Sequence, residues 1–151
     1  MAIATDAVIE VFGTADDLGS SSASVADALF SLASDVAQWT NDDDVDRAAI
    51  VLDATWATAP SANSSVALYA RLMNISGAGD QPVPTANFAH KVIGRFPVKD
   101  ITTQQLIPID IDLPNVYSSQ VYEFYLKNGS GQTISAGWKL LITPKTVAPH
   151  S

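Results

Sequence analysis

The sequence predicts an all-β fold, a single β-sandwich of jelly-roll or Greek-key kind preceded by an N-terminal extended arm. Three observations carry that expectation. Between residues 46 and 143 apolar and polar residues alternate with period two, the spacing of a strand with one face buried. The alternating runs are short and bounded by clusters of Pro, Gly, Ser and Asn, which supply turns. The chain has 151 residues, enough for one domain that buries roughly 68–70% of its unfolded surface.

The elements follow in order. "DAVIEVF" has the composition of a strand, and "DDLGSSSASV" reads as a flexible connector, so residues 1–22 are expected to form a separable arm. "SVADALFSLASDVAQW" has two readings. Val25, Leu29, Leu32, Val36 and Trp39 recur at three and four, and Ser24 with Asp27 resembles a capping box, which fits a helix. The same residues fit two short strands broken near Ser34 and Asp35. In "RAAIVLDATWAT", Ile50, Leu52, Ala54 and Trp56 share one face while Arg47, Asp53 and Thr55 share the other. "APSANSS" turns the chain, and "VALYARLM" puts Val66, Leu68, Ala70 and Leu72 on one face, so this pair is expected to be a hairpin.

"NISGAGDQPVPTAN" is a longer loop. "FAHKVIGRFPV" is a weaker strand interrupted near Gly94 and Pro97. "QLIPIDIDLP" sets Ile107, Ile109, Ile111 and Leu113 against Pro108, Asp110 and Asp112. Pro108 cannot donate to a ladder, so this strand belongs at a sheet edge or bulge. "VYEFYLK" aligns Tyr122, Phe124 and Leu126, and after "NGSG" the residues Ile134, Ala136, Trp138, Leu140 and Ile142 repeat the pattern. Asn and Gly supply positive φ, so "NGSG" is expected to close a hairpin rather than cradle a phosphate, which needs a helix to follow. The domain is bounded at 23–144, with residues 145–151 as a tail.

Composition narrows function. Without cysteine there are no disulfides, thiolate metal sites or cysteine nucleophiles. The first residues lack the basic n-region of a signal peptide, and no apolar run reaches the ~20 residues of a membrane helix, so no membrane is expected as a partner. Net charge is −8, with ten acids and no Lys or Arg before Arg47, and eight bases against six acids from there on. An acidic third repels phosphate backbones, so nucleic acid is not an expected partner.

Candidate chemistry is sparse. Asp42, Asp44, Asp46 and Asp53 have the spacing of a calcium loop, but Arg47 stands where the loop needs Gly. His90 and His150 share no ligand spacing. Asp110 and Asp112 on one strand face suit exposed alternation better than a glycosidase pair. Tyr117, Tyr122 and Tyr125 fit packing better than a sugar-stacking patch. No cofactor, metal or catalytic residue is expected, and the chain is not read as an enzyme.

The stretches "LDATWATAPSANSSVALYARL" and "LPNVYSSQVYEFYLKNGSGQTISAGWKLLI" resemble a group of small virion proteins of tailed bacteriophages. The shared landmarks are Val66, Leu68, Tyr69, Leu113, Pro114, Asn128, Gly131 and Leu140. The resemblance covers about residues 46 to 143. It implies a jelly-roll sandwich acting as a capsid decoration or cement protein on the virion, assembled in the host cytoplasm. Its partners would be the major capsid protein and neighbouring copies of itself, as a homotrimer rather than a dimer. A carbohydrate- or receptor-binding module of a tail or fibre is the alternative. The segregated charge suggests where contact is made: Asp16, Asp17 and the turn Asp42, Asp43, Asp44 and Asp46 against a basic surface, with Ile3, Val8, Ile9, Val11 and Phe12 supplying apolar burial.

Overall fold

A computed structural model describes residues 7–75, 79–87 and 90–149. The strands are β1 (Val8–Phe12), β2 (Asp16–Ser20), β3 (Gln38–Thr40), β4 (Arg47–Ala54), β5 (Ser65–Leu72), β6 (Val92–Pro97), β7 (Gln105–Asp112), β8 (Val121–Gly129) and β9 (Lys139–Pro149). They form two antiparallel sheets, and no α-helix occurs among the described residues. Sheet one has the order β1–β9–β4–β7, with β2 also pairing β9; sheet two has the order β3–β8–β5–β6. From β2 onward the chain changes sheet at every connection except β5 to β6, the alternation of a jelly roll.

The expected inward faces meet in one core. Ile50, Leu52 and Ala54 of β4 and Leu140 and Ile142 of β9 oppose Val66 and Leu68 of β5 and Tyr122, Phe124 and Leu126 of β8. Fully burying each large aliphatic chain contributes roughly 1.5–3 kcal/mol. Pro108 lies in β7, an edge strand that pairs only with β4, where a missing N–H costs least. Ala136 departs from its expected inward place and is exposed. The run from Ile134 to Trp138 is a loop, Gly137 carrying φ +89°, and the strand begins only at Lys139.

Both expected hairpins are arches between sheets. β4 lies in sheet one and β5 in sheet two; β8 lies in sheet two and β9 in sheet one. An arch and a hairpin have the same alternation and the same turn residues, because both strands of an arch face one core from opposite sides. What selects the arch here is buried bonding at "NGSG". The Asn128 amide, fully buried, donates to the carbonyls of Val25 (2.8 Å) and Gln132 (2.7 Å) and accepts from the Ser130 N–H (3.0 Å). Trp56 Nε1 donates to Ser130 Oγ at 3.0 Å, linking the two arches.

Residues 24–39 form neither a helix nor two full strands. Val25 bridges to Ile134 and Phe30 to Lys127, a 3₁₀ turn spans Ala33–Asp35, and only β3 is a strand. The apolar residues serve two cores. Val25 and Trp39 enter the main one, while Phe30 and Val36 pack on Ala67, Tyr69 and Tyr125 outside sheet two. Leu29 and Leu32 stay exposed. Ala28, at φ 65°, sits in a conformation no helix allows. The segment therefore covers the outer face of sheet two.

Within the expected arm β1 and β2 are paired strands, and residues 145–149 of the expected tail are the end of β9. β1 lies on residues 145–149 and β2 on residues 139–142 of β9. β2 places Leu18 in the core at 1% exposure. A break between arm and domain therefore falls after Gly13 in structural terms, before β2 begins, rather than at residue 22. β1 pairs only with the end of β9, overlapping the stretch that β4 pairs at Lys145 alone.

Candidate functional site

Cross-strand partners share a sheet face, so the register gives the outer face of sheet one directly. Phe12, Lys145, Arg47 and Asp112 form one row across β1, β9, β4 and β7. Below it run Thr143, Ala49 and Asp110, then Leu141, Val51 and Pro108, then Lys139, Asp53 and Leu106. The lower middle of this face is apolar and bare. Leu106 is 64% exposed, and Val51 and Leu141 are half-buried. Val8 (68% exposed), Phe12 (57%) and Val147 (57%) continue the apolar surface past the upper row. An antiparallel sheet usually turns a polar outer face to water, so these two apolar patches, separated by the charged upper row, make this face a candidate interaction surface.

The upper row is held by charge. Lys145 Nζ lies 2.6 Å from Asp110 Oδ1 and 3.6 Å from Glu10 Oε2, and 5.1 Å from the centroid of the Phe12 ring. Arg47 reaches Glu10 at 3.4 Å. The hydrogen bond that Lys145 donates to the Asp110 carboxylate is the chief cause that raises the Lys145 pKa. Glu10 thus ties β1 to β4 across the strand between them. The exposed Arg47–Glu10 pair stabilises by about 0–1 kcal/mol and orients β1 more than it holds it, whereas Lys145 is itself buried beneath its exposed partner Asp110.

The acidic turn is built by two buried amides. Asn41 Nδ2 donates to the Val45 carbonyl (2.8 Å) and to Asn115 Oδ1 (3.0 Å), and its Oδ1 accepts from the Val45 N–H (3.0 Å). Asp44 takes φ 51° and turns its carboxylate to the loop between β7 and β8. There it accepts from Ser118 Oγ (2.5 Å) and the Ser119 N–H (2.6 Å), bonds that lower its pKa, that of Ser118 most. Asp44 therefore joins two loops, while Asp42, Asp43 and Asp46 point charge at solvent.

The structure brings some expected contact residues together and separates others. Asp43 lines a concavity of about 300 Å³ with Val11, Phe12, Gly13, Pro144 and Thr146. Asp43, Asp44 and Asp46 line the adjoining one with Arg47, Lys145 and Val147. β1 and the acidic turn therefore form one corner. Val8 and Phe12 face outward with sheet one, whereas Ile9 and Val11 lie on the reverse side of β1, opposite Ala148 and Thr146. Asp16 and Asp17 sit on β2, where their carboxylates accept from the N–H groups of Asp17 and Gly19, both at 2.9 Å. Ile3 lies outside the described residues.

The other candidates resolve simply. Asp53 is at the far end of β4 from Asp46 and accepts from Gln104. Among the described residues no three acidic or histidine side chains are grouped to hold a metal. His90 Nε2 lies 2.6 Å from the Pro82 carbonyl, and His150 lies outside the described residues. Tyr122 and Tyr125 are buried, and Tyr117 donates its hydroxyl to the Met73 carbonyl, so the three make no sugar platform. Burial is the first cause, and Glu123 the next, that pushes the Tyr125 phenol up to about 12. Sequence reading missed Glu10 and Lys145, whose parts depend on which strands flank β9. No helix among the described residues is long and apolar enough to cross a membrane. No protein-family model matches the chain, and no curated protein matches its sequence.

Proposed function

We propose that the protein is a structural component of a bacteriophage particle, a decoration or cement protein seated on the outside of the major capsid protein shell. It docks through the outer face of sheet one, with β1 and the acidic turn at the edge of the contact. The observation that carries this reading is an asymmetry: the segment through Phe30 and Val36 covers part of the outside of sheet two, while sheet one has no such cover and leaves Leu106 and Pro108 exposed and Val51 and Leu141 half-buried. The resemblance over residues 46 to 143 and the jelly-roll connectivity point the same way. A cement protein needs contact area and symmetry rather than a reaction centre. The partner surface is apolar, with basic groups facing Asp42, Asp43 and Asp46. Neighbouring copies around a local three-fold axis supply the remaining contacts, as a homotrimer.

Deleting residues 1–13 tests this docking. The cut removes β1 and spares Leu18, so the sandwich stays folded. Binding to shells that lack the protein should fall by about tenfold or more, since the deletion removes Val8 and Phe12 from the contact. Binding of the full chain should also weaken as salt rises, because exposed charges are screened within ~8 Å at physiological ionic strength. Equal binding by the truncated and full chains at low and high salt overturns this placement of the contact.

A further inference from the structure

A second feature lies outside sheet two, at the end away from the acidic turn. It is a groove of about 440 Å³ whose floor is the outward row of β5, Ser65, Ala67 and Tyr69. Ala67 pairs with Arg95 of β6 on one side and Lys127 of β8 on the other. The two cations therefore stand on one face with only a methyl group between them, at a Cα separation of roughly 10 Å from two strand spacings. The ends of the groove are Asp27 with Ala28 and the arch residues Gly129 and Gly131, and Ser61 completes the rim.

The rim is fixed. The Gly131 N–H donates to Asp27 Oδ1 at 2.9 Å. Gly131 holds φ +77°, and a Cβ there would come within 2.4 Å of Ser61 Oγ. The cations are also available. Among the described residues Arg95 and Lys127 form no ion pair, as is also true of Lys91, Lys99 and Lys139, whereas Arg47, Arg71 and Lys145 are paired with carboxylates. Lys127 Nζ is instead steered over the Phe30 ring, 5.4 Å from its centroid.

We propose that this groove binds an acidic saccharide, a hydroxylated ring bearing a carboxylate. Arg95 and Lys127 flank the one place where a carboxylate would receive charge-assisted hydrogen bonds from both sides. The rim asks for something else. The second oxygen of Asp27 can only accept, and the hydroxyls of Ser61 and Ser65 can do either. Sugar hydroxyls satisfy all three. An acidic peptide does not, because each further carboxylate meets Asp27 as a like charge. The volume falls in the range of small-molecule sites, roughly 300–1,000 Å³. The groove is on the sheet opposite the proposed docking face, so a particle-bound copy would present it to solution. The two assignments stand or fall separately.

The test uses the isolated full chain, isotopically labelled, with amide shifts followed by nuclear magnetic resonance. Glucuronic acid and N-acetylneuraminic acid are titrated, with glucose as the neutral control and tetra-aspartate as the acidic peptide. The expected result is saturable shifts with the acidic sugars, centred on Asp27, Ala67, Arg95, Lys127 and Gly131, and none with glucose. Arg95→Gln and Lys127→Gln each weaken that binding by about tenfold or more, the loss expected for one charged hydrogen bond. Both side chains point away from the core, so both variants fold. No saturable shift with either acidic sugar, an equal response to glucose, or tighter binding of tetra-aspartate overturns the proposal.

Discussion

Asn128→Ala lowers the free energy of unfolding by roughly 3–5 kcal/mol. Asn128 is fully buried at the end of β8, and its amide is satisfied on every side. Truncation leaves the buried Ser130 N–H without its acceptor and takes one of two donors from each of the Val25 and Gln132 carbonyls, which keep the Ile134 N–H (2.9 Å) and Ser130 Oγ (2.8 Å). The unsatisfied N–H costs about 1–3 kcal/mol, each of the two lost amide bonds adds about 0.5–1.5 kcal/mol, and the backbone cannot follow to repair them. The main chain here is pinned by further bonds, from the Ala28 N–H to the Asn128 carbonyl (2.8 Å) and from the Asn128 N–H to the Leu29 carbonyl (2.9 Å). Denaturant unfolding should show a lower midpoint at unchanged slope. A loss below about 1 kcal/mol would mean that water or a rearranged arch replaces the amide, and the account of the arch would be wrong.

Gly19→Ala costs roughly 2–4 kcal/mol, combining backbone strain with a backbone clash. Gly19 follows the bulge that turns Leu18 into the core, and it holds φ +150°. A Cβ there would lie 2.3 Å from the Asp35 carbonyl oxygen. The clash has no soft side-chain end to yield. Either the 3₁₀ turn lifts, breaking the 2.8 Å bond from Ser21 Oγ to Asp35 Oδ2, or β2 leaves β9 and uncovers Leu18. Gly137→Ala is the matched control. Its φ is +89° with nothing within 4 Å, so only the strain remains, about 1–2 kcal/mol. Equal shifts in melting temperature for the two variants would show that the close approach at Asp35 does not exist.

The strands from β4 onward were legible because one buried face per strand forces period two, and no tertiary context reverses that. Connectivity was not legible. Ile50 and Leu68 face the same core whether their strands are neighbours in one sheet or opposed across two, so hairpin and arch leave the same pattern. Residues 24–39 misled for a related reason. Val25 and Trp39 enter the main core, Val36 packs outside sheet two and Leu29 and Leu32 stay exposed, so residues with three different surroundings imitate one helical face. Val8 and Phe12, proposed above as contact residues, are exposed because they stand on the outward face of β1, which has no second sheet over it. Asp44 was not separable from its acidic neighbours, since its partners Ser118 and Ser119 arrive from another loop. Arg95 and Lys127 become a pair only because β5 lies between β6 and β8, an order that local sequence does not encode.

The most direct test of the structural role is the copy number of this protein on purified particles, read by quantitative mass spectrometry against the major capsid protein. A shell-bound decoration or cement protein is present in hundreds of copies, in a fixed small-integer ratio to the capsid subunit. A handful of copies per particle, as for a tail or fibre component, or none at all, would contradict it.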